Sequence, residues 1–174
     1  MRGQAVARRT FWWDRTGPDA EVEPLRAVIF DLDAMAELDA DGEFAPRAGL
    51  IDLVMNLFVA GIWVGVVSTG RRADVDPLVR ELIGDGLVET IVTADDTDFT
   101  DTTHLYESAL WEFGIRPEEA LAFVGSSDAL DAATDAGLAA VRPATAYSDN
   151  VDCASDCQRL HRRWWTGRKL EAVA

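Results

Sequence analysis

The chain has 174 residues, 48% of them apolar, and a formal net charge of −15. That length suits one domain with a single substantial core, and no apolar run approaches the roughly 20 residues of a membrane-spanning helix. Residues 27–158 carry a balance of −20 and residues 159–174 one of +4. So acidic a body argues against nucleic-acid binding, and it admits an anionic substrate only where a metal or local cations intervene.

The N-terminus, "MRGQAVARRTFWWDRTG", has charges and aromatics but no apolar stretch of the kind a secretory signal carries. Arg2, Arg8 and Arg9 faintly suggest a transit peptide; residues 1–24 read instead as an extension. Cys153 and Cys157 lack the second pair of ligands that a zinc site needs, so a cytoplasmic protein with free thiols is expected. A single domain is expected over 25–143, followed over 144–174 by a linker and a basic, Trp-containing helix.

Within the domain, apolar runs alternate with amphipathic stretches. Strands are predicted at 27–31, 62–67, 88–92, 120–125 and 138–142. Helices are predicted in "PRAGLIDLVMNLFVAG", with Pro46 near its start, and in "DVDPLVRELIGDG", "THLYESALWEFG" and "SDALDAATDAG". Trp111 and Phe113 are assigned to the core face. Alternating helices and nearly continuous apolar strands predict an α/β fold, a doubly wound, Rossmann-like parallel sheet with helices on both faces.

Ligands in such sheets sit beyond the carboxyl ends of the strands. That rule selects Asp31 and Asp33 after the first strand and Ser68, Thr69 and Gly70 after the second. It also selects Asp95 and Asp96 after the third, and Ser126, Ser127 and Asp128 after the fourth. Acids directly after a buried strand are poorly explained by solubility, so Asp31 and Asp33 read as functional. Asp95, Asp96, Asp98 and Asp101 read as a solvated loop, and Asp128 and Asp131 serve equally well as helix N-terminal acids. His104 reads as a surface or cap residue. Arg71 and Arg72 are surface residues that stand near enough to supply a cation.

Three stretches, "VIFDLDA", "VGVVSTG" and "AFVGSSDALDAATDAG", resemble the first, second and fourth motifs of the haloacid dehalogenase-like superfamily, mostly Mg²⁺-dependent phosphatases and phosphotransferases. "LYESALWEFGIRPEEAL" resembles the superfamily's approach to the fourth motif. The resemblance spans roughly residues 26–142. It implies Asp31 as nucleophile, Asp33 as general acid and base, and Ser68 with Thr69 and Gly70 as phosphoryl contacts. A weak Mg²⁺ site is implied at Asp31, Asp33 (through its backbone carbonyl) and either Asp128 or Asp131. A carboxylate attacking phosphorus splits one difficult step into two, while a second carboxyl shuttles the proton.

The chain departs from the pattern in three places. The motif-three Lys is replaced by Thr100, and the only lysine in the chain is Lys169. Ser126 stands where the usual metal-binding acid follows the motif-four Gly. "SSDALD" also resembles the Ser-Ser-Asn-x-x-Asp of metal-independent dehalogenases, and Tyr106 falls where those enzymes carry a tyrosine. Finally, Asp33 and Ser68 are too close for an inserted cap, so a core-only domain is expected. A dehalogenase needs its cap, which disfavours that activity.

The expected function is a weak Mg²⁺-dependent phosphomonoesterase acting on a small phosphorylated substrate or a macromolecular phosphoester. The alternative is a catalytically silent domain kept for binding. No membrane partner is expected. The tail stripe of Cys157, Leu160 and Trp164 should dock by packing, on the domain or in a homodimer.

Overall fold

The computed structural model describes residues 22–98, 101–143, 147, 151 and 153–173, with side chains through 168. Nearly all of the predicted N-terminal extension, most of the linker and Thr100 lie outside the described residues. In chain order the first elements are β1 (Ala27–Asp31), α1 (Leu32–Met35), β2 (Ala36–Leu38), β3 (Phe44–Pro46) and α2 (Leu50–Val59). Then come β4 (Trp63–Val67), α3 (Arg72–Ile83), β5 (Thr90–Val92) and α4 (Thr102–Phe113). The chain closes with β6 (Ala120–Phe123), α5 (Ser127–Asp135), β7 (Ala139–Val141) and α6 (Ala154–Val173).

Five strands form one parallel sheet in the order β5-β4-β1-β6-β7. The predicted doubly wound sheet is present. Strand β1 is central because all four of its leading residues are apolar and fully buried. Its side chains alternate between two cores, as the two-residue period of a strand requires. Val28 and Phe30 face α2, α3 and α6, while Ala27 and Ile29 face α4 and α5.

On the first face, Phe30 and Phe123 stack with ring centroids 5.4 Å apart, and Tyr147 meets both edge-on. Helix α2 adds Leu50, Leu53, Val54 and Leu57, an i, i+3, i+4, i+7 stripe that is fully buried. On the second face the sheet offers Ala27, Ala120, Ala122 and Ala140, small residues that let α4 and α5 approach. Phe113 lies across Gly65, where a Cβ would come within 2.9 Å of its ring.

Three local expectations fail for identifiable reasons. Pro46 does not open α2. It closes a hairpin in which Ala36, Glu37 and Leu38 pair with Pro46, Ala45 and Phe44, and the helix starts only after Gly49 turns through φ +82°. Trp111 is 82% exposed instead of facing the core. The buried stripe of α4 runs through Leu105, Tyr106, Ala109 and Leu110, which leaves Trp111 on the outer side. The third strand begins at Thr90, two residues later than predicted. Between Asp33 and Ser68 the chain forms only a helical turn, the hairpin, α2 and β4.

Helix α6 packs on the first core. Cys157 and His161 are buried, and Leu160, Trp164 and Trp165 are partly buried against it. His161 was not foreseen as part of this stripe; its Nε2 donates to the Glu118 carbonyl at 2.8 Å.

Candidate active site

Asp31 is the last residue of the central strand, so its side chain emerges where β1 leaves the sheet. One carboxylate oxygen accepts the backbone N–H of Gly125 at 3.1 Å. Burial pushes the Asp31 carboxyl above its ordinary range, the Gly125 amide opposes that shift, and the nearby charge of Asp33 adds to it. A carboxyl whose charged form is held in place yet poorly solvated suits nucleophilic chemistry.

Helix α1 is a single turn that folds the next residues back over the strand end. Tyr147 fixes it by donating its hydroxyl proton to the Ala34 carbonyl at 2.7 Å. The turn leaves the Asp33 side chain exposed. Its backbone carbonyl accepts a hydrogen bond from Nη2 of Arg47 at 3.1 Å. Arg47 arrives there because the hairpin reverses the chain and its own N–H bonds the Met35 carbonyl at 2.9 Å.

Ser68 follows β4 and is buried; its Oγ accepts the Gly70 N–H at 3.1 Å, leaving the hydroxyl proton available. Thr69 beside it is exposed. Asp96 and Arg72 form an ion pair, and Asp96 also accepts from the Thr93 amide and hydroxyl. Burial works against the Asp96 charge, but those bonds and the guanidinium outweigh it and hold the carboxyl below its ordinary range. Asp95 accepts the Arg72 N–H, and Asp101 caps α4. These acids are therefore tied into local structure, and Arg72 is committed to them.

The fourth strand end reads differently from its motif. Ser126 caps α5 by accepting the Ala129 N–H at 3.1 Å. Asp128 and Asp131 lie on α5 and are exposed. Among the described residues no three His, Cys, Asp or Glu side chains are grouped so as to hold a metal ion. The Mg²⁺ set expected at Asp31, the Asp33 backbone carbonyl and either Asp128 or Asp131 would draw on that carbonyl and on one of these exposed α5 acids. The carbonyl it would use is already bonded to a guanidinium, and the position of its missing acid is a helix cap. The residues present do not fit Mg²⁺.

Three contributors escaped the sequence reading. Gly125 is one, because a Cβ there would stand 2.6 Å from the Asp33 carbonyl carbon and 2.7 Å from its Cβ. Arg47 and Tyr147 are the others, both remote from any motif. Tyr106 stands at the position where the resemblance places a tyrosine. It is buried, its hydroxyl has no hydrogen-bond partner among the described residues, and burial with the nearby Asp31 charge makes that hydroxyl harder to ionise.

The fold matches a known architecture. CbbY from Rhodobacter sphaeroides, solved in complex with phosphate, superposes with a TM-score of 0.59 at 20% identity, over 70% of this chain and 88% of that one. A haloacid dehalogenase-superfamily hydrolase of subfamily IA from Geobacter sulfurreducens gives 0.59 at 18% identity, over 68% and 89%. This is the haloacid dehalogenase-like fold. Protein CbbY of Cereibacter sphaeroides is 34% identical over 105 residues, which is 58% of this chain and 46% of that protein. The chain thus spans less than half the length of this curated relative. No protein-family model matches it.

A cavity of about 540 Å³ opens beside β5 and α4, lined by Arg72, Asp96, His104, Glu107 and Trp111 among others. Asp31 is not part of its lining.

Proposed function

We propose that this haloacid dehalogenase-like domain is a slow phosphomonoesterase with Asp31 as its nucleophile. The observation that carries the reading is the Asp31 carboxylate itself, delivered by the central strand, partly desolvated and oriented by the Gly125 amide. The phosphate complex of CbbY supports the ligand class.

In the first step an oxygen of Asp31 bonds to phosphorus as the bond to the leaving alcohol oxygen breaks. The Asp33 carboxyl gives its proton to that oxygen. In the second step water attacks the aspartyl phosphate, Asp33 takes the proton, and phosphate leaves with Asp31 restored as carboxylate. Ser68, with its hydroxyl proton free, donates to a phosphoryl oxygen. Asp31 must be ionised to attack, so its raised pKa moves the rising limb of the pH profile above 3.8, the ordinary value. No step is assigned to Mg²⁺, because the residues do not fit it.

A second reading, a silent binding domain, is favoured by Ser126, which caps a helix where the motif expects a metal-binding acid. Release of inorganic phosphate from p-nitrophenyl phosphate separates the two. Slow release that Asp31→Asn abolishes supports the hydrolase. Release that persists in Asp31→Asn removes it, and no release beside intact phosphate binding supports the silent domain.

A further inference from the structure

The acidic body must neutralise an incoming phosphate, yet the motif-three lysine is replaced and the motif-four acid is a serine that caps α5. Arg72 is paired with Asp96 and Asp76. Arg47 is different. It has no carboxylate within ion-pair distance among the described residues, and its side-chain bond is the one to the Asp33 carbonyl at 3.1 Å. Its Nε is buried without an acceptor among the described residues. A half-buried guanidinium with unanswered donors among the described residues, bonded to the backbone of the turn that follows Asp31, is a cation awaiting an oxyanion.

We propose that Arg47 is the resident cation of this site and takes the place a divalent metal would occupy, so that phosphate binds here without Mg²⁺. A metal ion on the Asp33 carbonyl would sit about 2.1 Å from that oxygen. It would then lie no farther than about 5 Å from a nitrogen already carrying positive charge. Two cations at that range repel each other, and the guanidinium already bonds the carbonyl. The local fold supports this assignment: the β2–β3 hairpin returns Arg47 to the turn after β1. The chemistry of the ligand is that of a phosphate monoester or free phosphate, recognised by a planar donor group and not by a metal.

The proposal rests on the reading of the Asp31 crevice as a phosphoryl site, and the test separates the two. Inorganic phosphate and, separately, MgCl₂ are titrated calorimetrically into the full chain, with EDTA or Mg²⁺ present in the phosphate runs. Phosphate should bind equally in both, Mg²⁺ alone should give no heat, and Arg47→Gln should weaken phosphate binding about tenfold or more. Arg47→Lys, which keeps a charge but not the fork, should fall between them. Melting curves of each variant check folding, and the wild-type titrations need no variant at all. Phosphate binding that requires Mg²⁺, or that is untouched in folded Arg47→Gln, overturns Arg47 as the cation while leaving the phosphoryl site standing. Absence of phosphate binding in every condition overturns both.

Discussion

Gly125 and Asp33 approach so closely that a single Cβ on the glycine would stand 2.6 Å from the Asp33 carbonyl carbon. The contact joins the loop after β6 to the turn after β1, and the same glycine amide holds Asp31. Gly125→Ala must therefore move backbone, not a flexible side chain. The expected cost is about 1–3 kcal/mol, typical of overpacking, read as a lower midpoint in urea unfolding. Hydrolysis should fall with it, because the displaced turn carries both acids. An unchanged midpoint would mean the two loops are looser than this geometry.

Asp31 should be a residue that costs stability. Its folded pKa lies above the unfolded value of 3.8 through burial. The folded state therefore holds the proton more tightly, and stability falls as pH rises through the window from 3.8 to the raised folded value. At neutral pH the whole penalty is present. Asp31→Asn, which keeps an acceptor for the Gly125 amide, should melt higher than wild type at pH 7 and no higher at pH 3. A lower melting temperature at pH 7 would show that the carboxylate is stabilised by partners that outweigh its burial.

Tyr106 poses the opposite question about a hydroxyl. A buried hydroxyl without a partner carries a desolvation cost of roughly 1–3 kcal/mol. Tyr106→Phe should raise stability by about 1 kcal/mol in chemical unfolding. Should it destabilise, the hydroxyl has a partner, such as ordered water, in the folded protein.

Much of the frame could be read from residue patterns alone. The run Ala27-Val28-Ile29-Phe30 marks a strand buried on both faces, and Asp31 follows it directly, so the strand end announces itself. Glycine stops such as Gly114 give the helix ends nearly to the residue, because a positive φ is required there. What escaped is whatever depends on long-range geometry. Arg47 reaches Asp33 only through the hairpin, whose sole local hint is the Asp41-Gly42 turn. Ser126 looks like a decayed ligand in the sequence and turns out to be a helix cap. Trp111 misled because large apolar residues are presumed inward, whereas helical phase placed it in solvent.

Helix α6 can be tested by removal. Cys157 is fully buried, and Leu160, Trp164 and Trp165 are partly so. At about 1.5–3 kcal/mol for a fully buried large apolar side chain, deleting 154–174 should cost several kcal/mol. Surface ion pairs such as Arg159–Asp156 add only about 0–1 kcal/mol. The melting temperature should drop clearly at any salt concentration. A drop that vanishes in high salt would assign the docking to charge instead of packing.

His161 gives that docking a pH dependence. It is buried in the α6 interface, and its Nε2 donates to the Glu118 carbonyl at 2.8 Å. Burial lowers its pKa below the ordinary 6.5, and the carbonyl bond only partly opposes that shift. The folded state thus prefers neutral His161, while the unfolded chain takes up the proton near 6.5. Its contribution is fully present above that value and is lost as pH falls through the window down to the lowered folded pKa. His161→Gln retains an amide donor for the carbonyl but does not titrate. The difference in stability between wild type and His161→Gln, measured by urea unfolding at steps from pH 8 to pH 5, should be flat above about 6.5 and fall below it. Taking the difference removes the carboxylates, which both proteins share. A flat difference across the whole range would place His161 in contact with water, and α6 away from Glu118.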